Sequence, residues 1–216
     1  MKLSNFKIAM FDWNGTILDD ITLSHESALE ILKIFAPGRQ LPTLEQFRSE
    51  MTLNFMQFYR NWGVPDDTTP EELEVYRKKY FENNIDKAKL SDGAMAFMRL
   101  CRRKGLKIAV VSGENFQILQ DAVFRWFRSR VYLDYVFGGV RIKEDIFRRI
   151  MCAENCFPNE VFYVGDSPGD VLAANNVGLH SIALWHKGSY ASENKLLLAK
   201  PRQVTNSFLD LTEIMK

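Results

Sequence analysis

The stretch Lys7-Ile8-Ala9-Met10-Phe11-Asp12-Trp13-Asn14-Gly15-Thr16 sets the reading of the whole chain. An apolar run of strand length closes on a carboxylate, and an Asn-Gly turn dipeptide and a hydroxyl follow it. A run that is continuously apolar, rather than alternating, describes a strand buried on both faces. Similar runs recur at Lys107 to Val111, closing on Ser112, at Tyr135 to Val140, at Val161 to Val164, closing on Gly165-Asp166, and at Ser181 to Leu184. A weaker sixth lies at Gln203 to Thr205. Helical periodicity fills the intervals: Ala94 to Lys104 with Gly105 as its stop, Asp145 to Asn155, and Asp170 to Asn176 ending before Gly178.

Strand–helix alternation of this kind predicts an α/β fold, a Rossmann-like parallel sheet covered on both faces. Such sheets bind ligands at the carboxyl ends of their strands. Asp12, Ser112 and Asp166 all fall at carboxyl ends, so the fold is expected to gather them in one crevice. Residues 17–88 interrupt the alternation. They carry helix-like segments at Leu23 to Phe35, Leu44 to Gly63 and Glu71 to Asn84, punctuated by Pro37-Gly38, Pro42, Pro65 and Pro70. The expected organisation is a catalytic core of residues 1–16 and 89–216, with a helical cap, 17–88, inserted after the first strand.

Composition narrows the function. The chain has 216 residues, 46% hydrophobic and 25% charged, which are globular proportions, and a formal net charge of +1. That balance offers no electrostatic draw toward nucleic acid or an acidic membrane. No apolar run approaches the roughly 18 residues of a membrane span, and Lys7 and Asp12 interrupt any signal-peptide core. A cytoplasmic location, with no membrane or nucleic-acid partner, is expected; oligomeric state is unreadable. Cys101, Cys152 and Cys156 are too few and too poorly accompanied for a metal site or disulfide framework, and read as small buried hydrophobes.

Four short constellations carry chemistry. Asp12 offers a nucleophile beside a tight turn, and Thr16 a hydroxyl. In Gly165-Asp166-Ser167-Pro168-Gly169-Asp170, two carboxylates four apart can face one point if the second opens a helix. Hard oxygen ligands suit Mg²⁺; the plainer use of Asp170 is in the first turn of a helix. Ser112-Gly113 can hold a phosphate oxygen through a hydroxyl and backbone N–H groups. Lys143, with Arg141 two residues earlier, supplies a cation for phosphate charge.

Their order, Asp-x-Asn-Gly-Thr, strand-Ser-Gly, Lys, Gly-Asp-x-x-x-Asp, resembles the four motifs of the haloacid dehalogenase superfamily. The general look is nearest to phosphoglycolate-phosphatase-like members with a helical cap. The resemblance implies a phosphoric monoester hydrolase acting on a small phosphorylated metabolite. Asp12 would form an aspartyl-phosphate. Mg²⁺ would be held by Asp12, the backbone carbonyl of Asn14, and Asp166, with Asp170 as a ligand or just behind one. Thr16, Ser112 and Gly113 would bind phosphoryl oxygens. Lys143 would offset charge, although one alignment puts Arg141 in that place.

Asn14 departs from the pattern, because most phosphatases of the superfamily carry Asp there for proton transfer. An amide cannot exchange a proton at neutral pH. The loss is worth about 10²–10⁴ in rate, or roughly 3–5 kcal/mol. The substrate could have a good leaving group, such as an acyl phosphate; another group, of which His25 is one, could replace the acid; or deamidation of Asn14 could restore it. The alternative function is a catalytically weak phospholigand-binding protein. Metal-free dehalogenation leaves Asp166 and Asp170 without a use, and a phosphomutase also needs an acid at position 14. Phe124-Arg125-Trp126-Phe127-Arg128-Ser129-Arg130 reads as an amphipathic helix with Phe124 and Phe127 buried rather than a nucleic-acid surface. His186 and Lys187 follow the fifth strand and could line the crevice, a surface loop being their plainer place; Trp13 reads as packing at the junction with the cap, or as shaping the entrance.

Overall fold

The computed structural model describes residues 2–51, 55–127 and 133–215. Two compact units are present: Met1–Asp19 with Leu90–Lys216, and Asp20–Lys89.

The first unit is built on β1 (Ile8–Phe11), β4 (Lys107–Val111), β5 (Tyr135–Phe137), β6 (Val161–Gly165), β7 (His180–Leu184) and β8 (Gln203–Thr205). They form a sheet in the order β5-β4-β1-β6-β7-β8, and every pairing is parallel. A short second sheet pairs β2 (Leu18–Asp19) with β3 (Lys89–Leu90). The helices are α5 (Ala94–Arg103), α6 (Phe116–Phe127), α7 (Lys143–Ala153), α8 (Pro168–Asn176), α9 (Glu193–Leu198) and α10 (Phe208–Ile214).

Successive residues of β1 serve opposite layers. Ile8 and Met10 pack in one cluster with Val111, Tyr163, Phe147 and Ile150. Phe11, on the other face, meets the rings of Phe97, Phe162 and Phe208 at 6.0–6.2 Å. Burial on both faces is why the strand is apolar throughout. Phe11 is level with Val110 and Val164 in the neighbouring strands, so the next residues, Asp12, Val111 and Gly165, emerge together at the carboxyl edge. The chain runs outward from β1 to β4 and β5, then returns to build β6, β7 and β8 on the other side. β1 is therefore where the strand order reverses, and the crevice of such a sheet lies there.

The second unit contains α1 (Ile21–Phe35), α2 (Leu44–Glu50), α3 (Phe55–Asn61) and α4 (Pro70–Asn84). Thr43 and Thr69 open α2 and α4 with reciprocal capping boxes to Gln46 and Glu72, and Pro70 occupies the first turn where its missing N–H costs nothing. Tyr80 and Lys87 both donate to Glu26, at 2.9 and 2.7 Å. The single helix expected from Leu44 to Gly63 is two, because Met51 leaves α2 in extended conformation. Among the described residues, no helix is long and apolar enough to cross a membrane.

Two packing expectations are corrected. Phe124 is 65% exposed whereas Phe127 is buried; Arg128, Ser129 and Arg130 lie outside the described residues. Cys101 is buried, but Cys152 is exposed and Cys156 half-buried, all three as free thiols.

Candidate active site

Asp12 stands one residue past β1, where Trp13-Asn14-Gly15-Thr16 turns back on itself. Trp13 carbonyl accepts from the N–H groups of Thr16 and Leu18 at 3.2 and 2.9 Å, and Gly15 N–H donates to Leu18 carbonyl at 2.8 Å. Gly15 has φ +69°, and a Cβ there would fall 2.2 Å from Asp166 Oδ2. Glycine is required both for the left-handed backbone and for the approach of the second carboxylate. Trp13 is buried and packs on Phe127 at 6.0 Å, inside the first unit.

Asp12, Asp166 and Asp170 are 8%, 1% and 2% exposed, and a carboxylate oxygen from each lies within 4.8 Å of the others. Lys143, the first residue of α7, reaches into this group. Its Nζ donates to Asp12 Oδ1 at 2.8 Å, Asp170 Oδ1 at 2.6 Å and the Tyr163 hydroxyl at 2.8 Å. Phe147, one turn later on the same helix face, lies 4.6 Å from the Tyr163 ring and seats it beside the ammonium. Arg141 is exposed, so the cation brought to the carboxylates is Lys143.

Asp170 takes up the plainer of its expected uses, in the first turn of α8, and also meets Lys143. Its Oδ2 accepts from Ser167 N–H (3.1 Å) and Oγ–H (2.6 Å), closing a capping box on α8. Its Oδ1 accepts from Lys143 and from Tyr163 at 2.9 Å. Four donors occupy the four lone-pair positions of a carboxylate. Asp166 accepts fewer, from Thr16 Oγ1 at 3.2 Å and Tyr190 N–H at 2.6 Å. Thr16 thus points its hydroxyl at a carboxylate. Ser112 is buried at the end of β4, its Oγ accepting from Glu114 N–H at 3.1 Å, and Gly113 beside it is exposed.

Three buried carboxylates share one ammonium. Burial, reinforced by the charge of Asp170, pushes Asp12 up to about 6 against the attraction of Lys143. Burial, with the charges of Asp12 and Asp170, holds Asp166 well above the carboxylate range. Burial alone would lower Lys143, but Asp12 and Asp170 together raise it. The imbalance is what a divalent cation with a taste for oxygen would correct, and Asp12 and Asp166 retain lone pairs to hold one.

Three residues the sequence reading passed over, Tyr163, Glu114 and Tyr190, belong here with His186. Tyr163 links Lys143 and Asp170 to the carbonyl of Val111 at 3.2 Å. Glu114 is 6% exposed and accepts from Asn14 Nδ2 at 3.2 Å. His186 and Tyr190 come from the loop after β7, where the sequence offered His186 a place lining the crevice beside the plainer surface one. His186 Nδ1 accepts from Gly188 N–H at 3.1 Å, so its proton is on Nε2 and is donated to Gly15 carbonyl at 2.9 Å. His25 is engaged in its own unit, with a ring nitrogen 2.9 Å from Pro42 carbonyl.

The family model described as haloacid dehalogenase-like hydrolase matches residues 9–184. A phosphoglycolate phosphatase of Mannheimia succiniciproducens is 23% identical over 225 residues, covering 98% of this chain and 99% of its own. The pyrophosphatase PpaX of Bacillus velezensis is 24% identical over 177 residues, 78% of each. Among solved structures, CbbY of Rhodobacter sphaeroides in complex with xylulose-(1,5)bisphosphate superposes with a TM-score of 0.76 at 18% identity, covering 95% of this chain and 96% of that one. A Streptococcus pneumoniae protein of the same family gives a TM-score of 0.81 at 16% identity, covering 98% and 99%. At such identities the structural matches speak for the fold.

Proposed function

The chain belongs to the haloacid dehalogenase-like hydrolases, and we propose that within them it is a Mg²⁺-dependent phosphatase of small phosphorylated metabolites, working through an aspartyl-phosphate on Asp12. The observation that carries this reading is the buried constellation of Asp12, Lys143, Asp166 and Asp170 at the point where the strand order reverses. The relatives named as phosphatases act on small phosphorylated molecules, and the chain spans nearly the whole of the phosphoglycolate phosphatase.

Asp12 attacks phosphorus in line with the leaving oxygen. Lys143 draws charge from the phosphoryl group and keeps Asp12 aimed. Ser112, whose Oγ accepts a backbone N–H and so keeps its own proton to give, binds a phosphoryl oxygen with the N–H groups at Gly113. Asp12 and Asp166, with the Asn14 carbonyl, would hold Mg²⁺, which supplies charge neutralisation for the transferring phosphoryl. Asp170, with its lone pairs filled, serves as the positioning residue for Lys143. The helical unit Asp20–Lys89 is the cap in this reading, and carries substrate choice.

The test is phosphate release from a panel of phosphomonoesters and acyl phosphates, with and without Mg²⁺. Metal-dependent release supports the reading; tight phosphate binding with no release would favour the phospholigand-binding alternative.

A stability prediction follows from the charge imbalance. Asp12 has its proton affinity raised on folding, from the ordinary 3.8 to about 6. Its contribution is therefore fully present below about pH 4 and lost as pH rises through about 6. A bound divalent cation removes that penalty where the carboxylates are charged. A fixed Mg²⁺ concentration, about 100-fold over its Kd at about pH 7.5, should raise Tm by roughly 5–10 °C there and clearly less at about pH 5, where protons compete for the carboxylates. Calorimetry that finds equal shifts at both pH values would contradict the assignment.

A further inference from the structure

In-line attack by Asp12 expels an oxygen that leaves as an alkoxide unless a proton reaches it, and the second half of the reaction must take a proton from water. Asn14 can do neither. Lys143, Asp170 and Tyr163 are bound to one another, and Asp166 is tied to Thr16 and Tyr190. Glu114 carries a buried carboxyl group that the mechanism above leaves unused.

Its placement is specific. β1 and β4 are paired in parallel, with Phe11 opposite Val110. Asn14 lies two residues beyond the end-of-strand Asp12, and Glu114 two residues beyond the end-of-strand Ser112. The two side chains meet, Asn14 Nδ2 donating to Glu114 Oε2 at 3.2 Å. The other oxygen, Oε1, accepts from Asn115 N–H at 2.7 Å, which fixes the carboxylate plane. The backbone beneath is braced as well: Gly139 N–H donates to Glu114 carbonyl at 2.6 Å and Val140 N–H to Ser112 carbonyl at 3.0 Å. A carboxylate oxygen is thereby held within hydrogen-bond reach of the side chain two residues after the nucleophile.

We propose that Glu114 is the catalytic acid and base of this enzyme, aimed by Asn14, an assignment that rests on the phosphatase reading. As Asp12 oxygen bonds to phosphorus and the bond from phosphorus to the leaving oxygen breaks, Glu114, having taken up a proton, gives it to that oxygen, releasing an alcohol and leaving Glu114 as carboxylate. The carboxylate then takes a proton from water as the water oxygen bonds to phosphorus. The bond from phosphorus to Asp12 breaks, inorganic phosphate departs, and both side chains return to their starting states. The pair Asn14 and Glu114 thus divides between two strands what one side chain could do alone, and it permits substrates with poor, alkoxide leaving groups.

The experiment compares wild type, Glu114→Gln, and Glu114→Gln combined with Asn14→Asp, on an alkyl phosphate and an acyl phosphate, each with Mg²⁺. Glu114→Gln should lose about 10²–10⁴ in kcat on the alkyl phosphate. On the acyl phosphate it should release one equivalent of leaving group rapidly and then stall, with the phosphoryl group retained on Asp12. The added Asn14→Asp should restore much of the turnover, which a folding defect at position 114 would not allow. Equal losses on both substrates without a retained phosphoryl group, or no loss at all, would overturn the role of Glu114 and leave the phosphatase reading standing. A wild-type chain that releases phosphate from neither substrate would overturn both.

Discussion

Replacing Asp12 by Asn should abolish phosphate release, by about 10⁴-fold or more, while leaving the metal-free protein as stable as before or more so. The rate expectation follows from removing the proposed nucleophile. The stability expectation follows from the environment. Asp12 is buried, lies among two other carboxylates, and sits at about 6 because its charge is unwelcome there. An amide of the same shape removes one charge from an overcharged cluster, and Lys143 retains Asp170 at 2.6 Å. Activity and stability should therefore move in opposite directions near neutral pH. Turnover assays and thermal melts on the same preparation check this; a variant that is both inactive and much less stable would mean that Asp12 is a structural partner of Lys143 first.

Lys143→Met should be damaging in both respects. The ammonium is 13% exposed in its side chain and contacts Asp12, Asp170 and Tyr163. Removing one partner of a buried ion pair costs about 3–5 kcal/mol, because the remaining charges have neither solvent nor counter-ion. Loss of a charge aimed at the transferring group costs about 10²–10³ in kcat. Lys143→Arg should not rescue fully, since a planar guanidinium cannot bring one nitrogen to all three acceptors as the ammonium does. The thermal loss should shrink at about pH 5, where Asp12 holds a proton and no longer needs the cation. Full activity in Lys143→Met would transfer the role to another cation, with Arg141 the first to examine.

Much of this architecture was legible because it rests on local patterns. A strand buried on both faces must be apolar throughout, so β1, β4 and β6 announced themselves, as did the polar residues that close them. Gly165-Asp166 and Asp170 were legible as a pair through their spacing, and Gly165 is there because a Cβ would fall 2.4 Å from Asp170 Cβ. The break between α2 and α3 was not legible, since neither proline nor glycine marks it. The residues that complete the site were hidden for a different reason. Glu114 meets Asn14 across 100 residues of sequence, and His186 meets Gly15 across 171. Each has an ordinary role when read alone, and only the parallel register brings the partners together. Tyr163 is visible in the sequence as a polar-tipped ring in an otherwise apolar strand, but the identity of its partners depends on where α7 begins, at Lys143 rather than two residues later.

The central claim is that phosphoryl passes through Asp12, and a single-turnover reaction tests it most directly. The protein, in excess over an acyl phosphate and with Mg²⁺ present, is quenched in acid at short times and its peptides are mapped. The account predicts a transient phosphoryl group on the peptide carrying Asp12, appearing before free phosphate and absent from Asp12→Asn. Free phosphate formed at full rate with no phosphoryl group on Asp12 at any time would contradict it.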